Sequence, residues 1–223
     1  MLYYFDRLLR TLVFITISAV FFAVPIFITS LFSPSVSYFI SRWWFALVFS
    51  AYGIELEVEN SNSTKIPKFI GVANHRSFLD IPAISLAINN DIRFIAKESL
   101  VKIPFIGWAL KLQKHPLLGE TLTKALLLSS KKVLSEGKSL IVFPEGTRGE
   151  VGTPLLPLLP IKQTVFHFID TLGVEIIPIA IIGTEKIMPP KAIIPRSGRV
   201  KVKIGKPLSL TTEIPKTLEK MLK

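Results

Sequence analysis

Apolar residues run almost unbroken through the first quarter of the chain. Residues 11–32 form a stretch of 22 residues without a charge, and at about 1.5 Å per residue such a helix reaches the roughly 30 Å thickness of a bilayer core. A second apolar stretch, 43–54, is too short to cross alone. Pro25 is as compatible with a kinked, re-entrant helix as with a straight span. The pattern therefore predicts a membrane-associated helical hairpin over residues 1–54, which either spans the bilayer or enters one leaflet.

The residues that flank these apolar stretches predict how the segment is oriented in the membrane. Arg7 and Arg10 precede the first stretch, and little charge follows until Arg42. The positive-inside tendency therefore places the amino terminus, and with it the part of the chain that follows the hairpin, on the cytoplasmic side. Trp43 and Trp44 next to Arg42 are typical of an interfacial anchor. A cleaved signal peptide and a buried core helix are the alternatives. The first stretch is longer than a usual signal core, and the lack of a polar face argues against a core helix.

From about residue 55 the pattern changes to short apolar runs that alternate with helical periodicity. The runs 68–73, 93–96, 139–143 and 175–182 predict buried strands, and the strict alternation of 198–205 predicts a half-exposed strand.

Helical periodicity follows between these runs, over 99–112, which contains Pro104, and over 120–136 and 164–172. Gly137 and Gly173 follow the last two as candidate C-caps. Strands alternating with helices predict a layered α/β domain over 55–223, with no linker long enough to divide it.

The amino-acid composition indicates which kinds of binding partner the chain is suited to. The chain has 223 residues, Lys and Arg exceed Asp and Glu by 27 to 16, and half of the residues are hydrophobic. Basicity combined with high hydropathy favours an anionic membrane surface over nucleic acid. The absence of cysteine excludes a disulfide framework, a thiolate nucleophile and a cysteine-ligated metal. The three histidines are not at metal-ligand spacing, so we expect no metal.

The first candidate for chemistry is "VANHRSFLD", residues 72–80. On one straight helix, residues five apart are about 140° out of phase and do not meet. His75 and Asp80 can meet if His75 lies in a strand-to-helix turn and Asp80 in the first turn of the helix. Asn74 and Ser77 are residues suited to such a turn and cap. A histidine backed by a carboxylate is the arrangement of an oriented general base, and the alternative is a surface turn with local hydrogen bonds.

The second candidate is "IVFPEGTRG", residues 141–149, in which a predicted buried strand runs into a polar loop. Ligands bind at such strand ends in α/β sheets. Gly146 permits close backbone approach, and Arg148 offers a planar fork suited to a phosphate. Glu145 could orient a base, fix Arg148 or bind a ligand hydroxyl.

The two stretches together, "NHRSFLD" and "FPEGTRG", resemble the glycerolipid acyltransferase family, whose type members are the 1-acylglycerol-3-phosphate acyltransferases. Segments 96–112 and 176–181 also resemble the family, and the likeness covers roughly 55–207. It implies an α/β domain with a mixed sheet that transfers a fatty acyl group from a thioester to a lysophospholipid hydroxyl, most simply 1-acylglycerol-3-phosphate. The donor would be acyl-CoA or an acyl-carrier protein.

The resemblance also implies residue roles. His75 would be the general base and Asp80 its orienting carboxylate. Lys97 and Arg148 would bind the acceptor phosphate, with Glu145, Gly146 and Thr147 shaping the substrate site. Pro178 would shape the acyl side of the site, unless it is only an edge-strand proline.

One position departs from the family pattern. Glu120 stands where the family usually has an arginine, and a carboxylate there would repel a phosphomonoester. A local shift could bring Lys114 or His115 into that role; otherwise we interpret His115 as structural and His167 as a core or interface histidine. The acceptor therefore stays open between lysophosphatidate, another lysolipid such as a lyso-ornithine lipid, and a non-catalytic lipid-binding role.

Overall fold

The computed structural model describes residues 2–60, 66–103, 106–161, 163–192 and 194–223, apart from some side chains near the amino terminus, Arg7 and Arg10 among them. Its first element is a helical hairpin of α1 (Leu2–Phe32) and α2 (Pro34–Ala51). Ser33 caps α2, because its side chain accepts a hydrogen bond from Val36 N. Trp44 Nε1 donates to Ser18 Oγ at 3.2 Å across the hairpin. The helices are therefore antiparallel, as the sequence predicts for this segment.

Within the described residues, no helix combines the length and apolarity needed to cross a membrane.

A six-stranded mixed sheet forms the centre of the rest of the chain, in the order β1-β8-β7-β2-β6-β3. Strands β7, β2, β6 and β3 are mutually parallel, β8 runs antiparallel to β7, and β1 pairs parallel with β8. β4 and β5 form a separate two-stranded ladder. The strands are β1 (Ile54–Asn60), β2 (Ile70–Ala73), β3 (Ile92–Phe94), β4 (Ala96–Lys97), β5 (Leu117–Leu118), β6 (Ser139–Val142), β7 (Ile176–Ile182) and β8 (Gly198–Ile204).

Helices cover both faces of this sheet, so side chains that alternate along a strand enter two different cores. The remaining helices are α3 (Asp80–Ala87), α4 (Ile106–Leu112), α5 (Lys124–Ser135), α6 (Gln163–Leu172), α7 (Thr184–Ile187) and α8 (Ile214–Leu222), with 3-10 helices at Glu98–Lys102 and Thr211–Glu213. One core unites β7 with α2 and α3, and the other unites it with α5, α6 and α8. Because Tyr38 and Phe49 of α2 are buried in the first core, the hairpin is packed against the α/β domain.

The sequence predicted most of these elements. All five predicted strand regions are strands, and β8 alternates in burial as expected. The helix predicted from residue 120 begins at Lys124, because Thr123 caps it. The segment 99–112 is a 3-10 helix followed by α4, and Pro104 lies outside the described residues.

The edge-strand interpretation of Pro178 is wrong, since β7 lies inside the sheet between β8 and β2. A proline is accommodated there at the end of the β7–β8 ladder, where Pro178 O still accepts from Gly205 N at 2.9 Å.

Candidate active site

The carboxyl ends of four parallel strands meet at one edge of the sheet, and three of them lead into segments of the candidate site. β2 leads to Asn74 and His75, β6 to Glu145, and β7 to Thr184. Val72 pairs with Val142 in the β2–β6 ladder. The same offset of 70 residues places His75 level with Glu145, and the two loops therefore adjoin.

His75 and Asp80 meet as the sequence predicts. His75 Nδ1 lies 2.8 Å from Asp80 Oδ2; the His75 side chain is 16% exposed and that of Asp80 is fully buried. With Asp80 as a carboxylate, Nδ1 carries the proton and Nε2 keeps its lone pair. The imidazole stacks on Phe143, with centroids 4.1 Å apart and planes 20° apart. Phe143 thus holds one face of the ring and Asp80 holds Nδ1, which leaves Nε2 for a proton transfer.

The Asp80 carboxylate is bound by four donors, which explains how a buried charge is tolerated here. Asp80 Oδ2 accepts from the backbone nitrogens of Arg76 and Ser77 at 2.7 and 2.8 Å, in addition to His75. Asp80 Oδ1 accepts from Thr184 Oγ1 at 2.6 Å. Asp80 is also the first residue of α3, where the helix dipole favours a negative charge.

Glu145 is buried behind the turn that carries His75. Its Oε1 accepts from His75 N at 3.1 Å, and its Oε2 accepts from Leu159 N at 3.1 Å and from Arg76 Nη1. These protein donors occupy both carboxylate oxygens. Of the three roles open from the sequence, this geometry favours orienting the base; no hydrogen bond or ion pair between Glu145 and Arg148 is found in the described part of the chain.

Arg148 lies in the loop after β6, close enough to Asp80 for an electrostatic interaction. Its guanidinium carbon is 3.4 Å from the centroid of the Phe78 ring, a cation–π contact. Burial lowers the pKa of Arg148, whereas the Asp80 carboxylate raises it. Arg148 Nη1 is buried without a hydrogen-bond partner among the described residues, so its capacity to donate is unused there.

Gly146 and Thr147 shape the loop between Glu145 and Arg148. Gly146 has φ +65° with open space where a Cβ would stand, and its nitrogen donates to Phe143 O at 3.1 Å. This tight turn requires the positive φ that glycine adopts without strain. Thr147 Oγ1 accepts from Gly149 N at 3.3 Å, which closes the loop on itself.

Lys97 is exposed at the end of β4, on the small ladder beside the main sheet. It pairs with Leu118 of β5, two residues before the exposed Glu120. Glu98 Oε2 would lie 3.3 Å from a Cβ at Gly119. Two carboxylates therefore accompany Lys97, and the charge around it is mixed rather than uniformly positive.

The other two histidines differ from each other. His115 Nδ1 accepts from Phe94 N at 2.9 Å, and burial lowers its pKa to about 3. A neutral ring fixed in this way is structural, as expected, and is unsuited to binding a phosphate.

His167 is exposed on α6, so its core placement is wrong. No group of three or more His, Asp or Glu side chains arranged to hold a metal ion occurs within the described residues.

Sequence reasoning missed three residues that build the site. Asn74 forms two hydrogen bonds with Ile181, from Nδ2 to the carbonyl and from the backbone nitrogen to Oδ1, at 2.9 and 2.8 Å. Thr184 binds Asp80, and Arg76 binds Glu145. For Asn74 the sequence predicts only a position in the turn. Thr184 comes from a distant strand end, and nothing in the local pattern marks it.

The chain is similar to known acyltransferases. The family model described as "Acyltransferase" matches residues 55–182. The chain is 34% identical over 177 residues to the chloroplastic 1-acyl-sn-glycerol-3-phosphate acyltransferase LPAT1 of Arabidopsis thaliana, covering 77% of this chain and 48% of that protein. It is 31% identical over 165 residues to the 1-acyl-sn-glycerol-3-phosphate acyltransferase of Saccharomyces cerevisiae, covering 70% and 52%. The chain thus spans about half the length of these curated relatives.

A solved structure matches over nearly the whole chain. The crystal structure of the 1-acyl-sn-glycerophosphate (LPA) acyltransferase PlsC from Thermotoga maritima superimposes with a TM-score of 0.73 at 28% identity, covering 98% of this chain and 93% of that one. The family match includes the two loops that bring His75, Asp80 and Glu145 together. On this evidence of sequence and fold, the chain belongs to the acyltransferase family.

Proposed function

We propose that this protein transfers a fatty acyl group from an acyl thioester to the free hydroxyl of 1-acylglycerol-3-phosphate, giving phosphatidate. The observation that carries the proposal is the 2.8 Å contact between His75 Nδ1 and the buried Asp80 carboxylate, which leaves Nε2 free as a base. The names of the similar proteins from Arabidopsis and yeast support this acceptor.

The reaction proceeds without a covalent enzyme intermediate. His75 Nε2 removes the proton of the acceptor hydroxyl as its oxygen attacks the thioester carbonyl. Asp80 stabilises the imidazolium that forms. The tetrahedral intermediate then expels the thiolate, which takes the proton from His75 and leaves as the thiol. General base catalysis of this kind contributes typically ~10²–10⁴-fold. A thioester is already a good electrophile, which agrees with the absence of cysteine.

Arg148 and Lys97 bind the acceptor phosphate. The buried, unpartnered Nη1 of Arg148 supports its role, because a guanidinium binds phosphate oxygens strongly. Gly146 and Thr147 hold Arg148 in place, and Glu145 supports the site from behind rather than through the substrate. No cofactor is required, and the acyl donor is acyl-CoA or acyl-carrier protein, whose phosphates or acidic surface suit a net charge of +11.

Residues 1–54 form the membrane-associated part, and 55–223 form the acyltransferase domain, which faces the cytoplasm. Several large apolar side chains of the hairpin are exposed, among them Phe21 and Trp43, each 73% exposed. A groove of about 460 Å³ lies between α1 and α4, with Lys111 at an otherwise apolar lining. Exposed apolar patches of this kind mark membrane contact or lipid binding. The hairpin therefore rests in one leaflet, next to the lipid substrates.

The deciding experiment is an acyl-transfer assay of the His75→Ala variant in vesicles with lysophosphatidate. We expect kcat to fall by about 10²–10⁴-fold, the share assigned to the base. His167→Ala is the matched control, because that histidine is exposed on α6, and it should keep full activity. If His75→Ala retained wild-type kcat, His75 would not be the base.

A second candidate is the same reaction on a different lysolipid. Glu120 is exposed two residues beyond the partner of Lys97, and Glu98 lies near it. This mixed charge suits a headgroup that carries an amine, as a lyso-ornithine lipid does. Glu120→Arg should then raise the use of lysophosphatidate relative to the amine-bearing acceptor. Glu150→Arg is the control, because Glu150 is also exposed and the change in charge is the same. A panel in which the wild-type protein acylates no lysolipid would instead favour a non-catalytic lipid-binding role.

A further inference from the structure

Arg76 is the largest buried cation near the candidate base and has no role in the mechanism above. Its side chain is 1% exposed, and so is that of its partner Glu145. Arg76 Nη1 also donates to His75 O at 3.0 Å. The pair therefore binds both the backbone N–H and the carbonyl of His75, since Glu145 accepts from His75 N.

This ion pair is poorly explained as a stabilising element. Arg76 Nε and Nη2 are buried without a hydrogen-bond partner in the described part of the chain. Leaving buried donors unpaired is costly, and a buried ion pair is weak evidence for stability because desolvation offsets its attraction. An apolar pair of similar volume would fill the same space, so the charges themselves need a reason.

The charges around His75 supply that reason. Asp80 binds the ring from the start of α3. In the loop after β6, Glu145 binds the His75 backbone nitrogen and Arg148 lies near Asp80, and Arg76 follows His75 in the turn. Thr184 of α7 adds a neutral hydroxyl through Asp80. Without Arg76, two buried carboxylates would act on the imidazole, and both favour its protonated form.

We propose that Arg76 and Glu145 are a charge-compensating pair of positioning residues: Glu145 holds the His75 backbone, and Arg76 cancels its charge so that Asp80 alone sets the basicity of His75. This rests on the proposed function, in which neutral His75 accepts a proton. In this proposal Glu145 supports the base and does not bind the substrate.

The acid limb of the pH dependence of kcat/KM tests the pair, because it reports the protonation of the free enzyme's base. Glu145→Gln leaves Arg76 uncompensated, so the limb should move to lower pH by about one unit, the effect of one charge at short range. The double variant Arg76→Met/Glu145→Gln has the same net charge as the wild type. Its limb should return to within about 0.3 pH units of the wild-type position, even if kcat stays reduced.

A second comparison covers the case in which Glu145→Gln does not fold. The double variants Arg76→Lys/Glu145→Gln and Arg76→Met/Glu145→Gln differ only in the charge at position 76. The lysine variant should have its acid limb about one pH unit lower than the methionine variant. Thermal melting of each variant separates a change of charge from loss of the fold.

The outcomes separate this proposal from the proposed function. Lower kcat with an acid limb that does not move in any variant would mean that the pair only holds the turn together, which overturns the inference. An acid limb that is absent from the wild type, or unaffected by His75→Ala, would remove the general base itself. A limb that shifts in the single variant and returns in the double variant supports both.

Discussion

Thr184 Oγ1 donates a hydrogen bond to Asp80 Oδ1 at 2.6 Å, on the carboxylate oxygen that does not face His75. The two residues are 104 positions apart and come from α7 and α3. Both are fully buried. The carboxylate that binds the His75 ring is thus itself bound by a residue that follows the central strand β7.

Thr184→Val should weaken both stability and catalysis. Valine keeps the volume but leaves Asp80 Oδ1 without its donor, and an unpaired buried acceptor costs about 1–3 kcal/mol. We expect the free energy of unfolding to fall by that amount and kcat by roughly tenfold, the equivalent of about 1.4 kcal/mol. Thr184→Ser, which keeps the hydroxyl, is the control. Equal kcat in the valine and serine variants would show that Oδ1 needs no partner.

Gly183→Ala should disturb the same region through the backbone. Gly183 has φ +98°, and an added Cβ would lie 2.4 Å from the carbonyl oxygen of Arg199. The positive φ alone costs a residue with a Cβ about 1–3 kcal/mol, and the backbone clash adds to it. Gly152→Ala is the control, since Gly152 has φ +85° and open space around a Cβ. Chemical denaturation should show a clearly larger decrease in the free energy of unfolding for Gly183→Ala than for Gly152→Ala. Equal decreases would mean that β8 shifts to accommodate the added Cβ without cost.

His115 should make stability depend on pH. Burial lowers its folded-state pKa to about 3, whereas an unfolded histidine titrates near 6.5. Between these values the unfolded state binds more protons, so stability is complete above about 6.5 and falls as the pH drops, by at most about 1.4 kcal/mol per pH unit. The slope of unfolding free energy between pH 6.5 and 4.5 should be shallower in His115→Asn than in the wild type. Identical slopes would exclude His115 as the source.

Arg148→Lys should raise KM for the phosphate-bearing acceptor while leaving KM for the acyl donor unchanged. Lysine keeps the charge but loses the planar fork and its stacking on Phe78. We expect an increase of about tenfold, the size of one lost charge-assisted hydrogen bond. Lys131→Ala on the exposed face of α5 is the control. A matching rise in donor KM would place Arg148 on the thioester side instead.

Much of the fold follows from local pattern. The apolar runs of β2, β6 and β7 are visible because strands covered on both faces lack alternation, whereas β8 alternates. Thr123 and Gly137 define the ends of α5 through cap chemistry, although the amino-terminal end was predicted four residues early. The local pattern does not predict β1 or α8.

The candidate site was only partly predictable. His75 and Asp80 are five residues apart, so a turn followed by a helix is enough to bring them together. The buried placement of Glu145 against Arg76 depends on the parallel pairing of β2 with β6. The exposure of His167 depends on which face of α6 packs against α5 and the sheet, and it contradicts the core alternative of the prediction for that residue.

The sequence by itself determined most of the elements, the proximity of His75 to Asp80 and the polar loop at 145–148, because side-chain periodicity, capping and short-range turns are properties of neighbouring residues. The tertiary structure alone decided the strand order, and with it which distant side chains meet at the carboxyl edge of the sheet. Thr184 reaches Asp80, and Asn74 reaches Ile181, only because β7 lies beside β2. Register across a sheet is set by the packing of both cores together, and no local pattern contains that information.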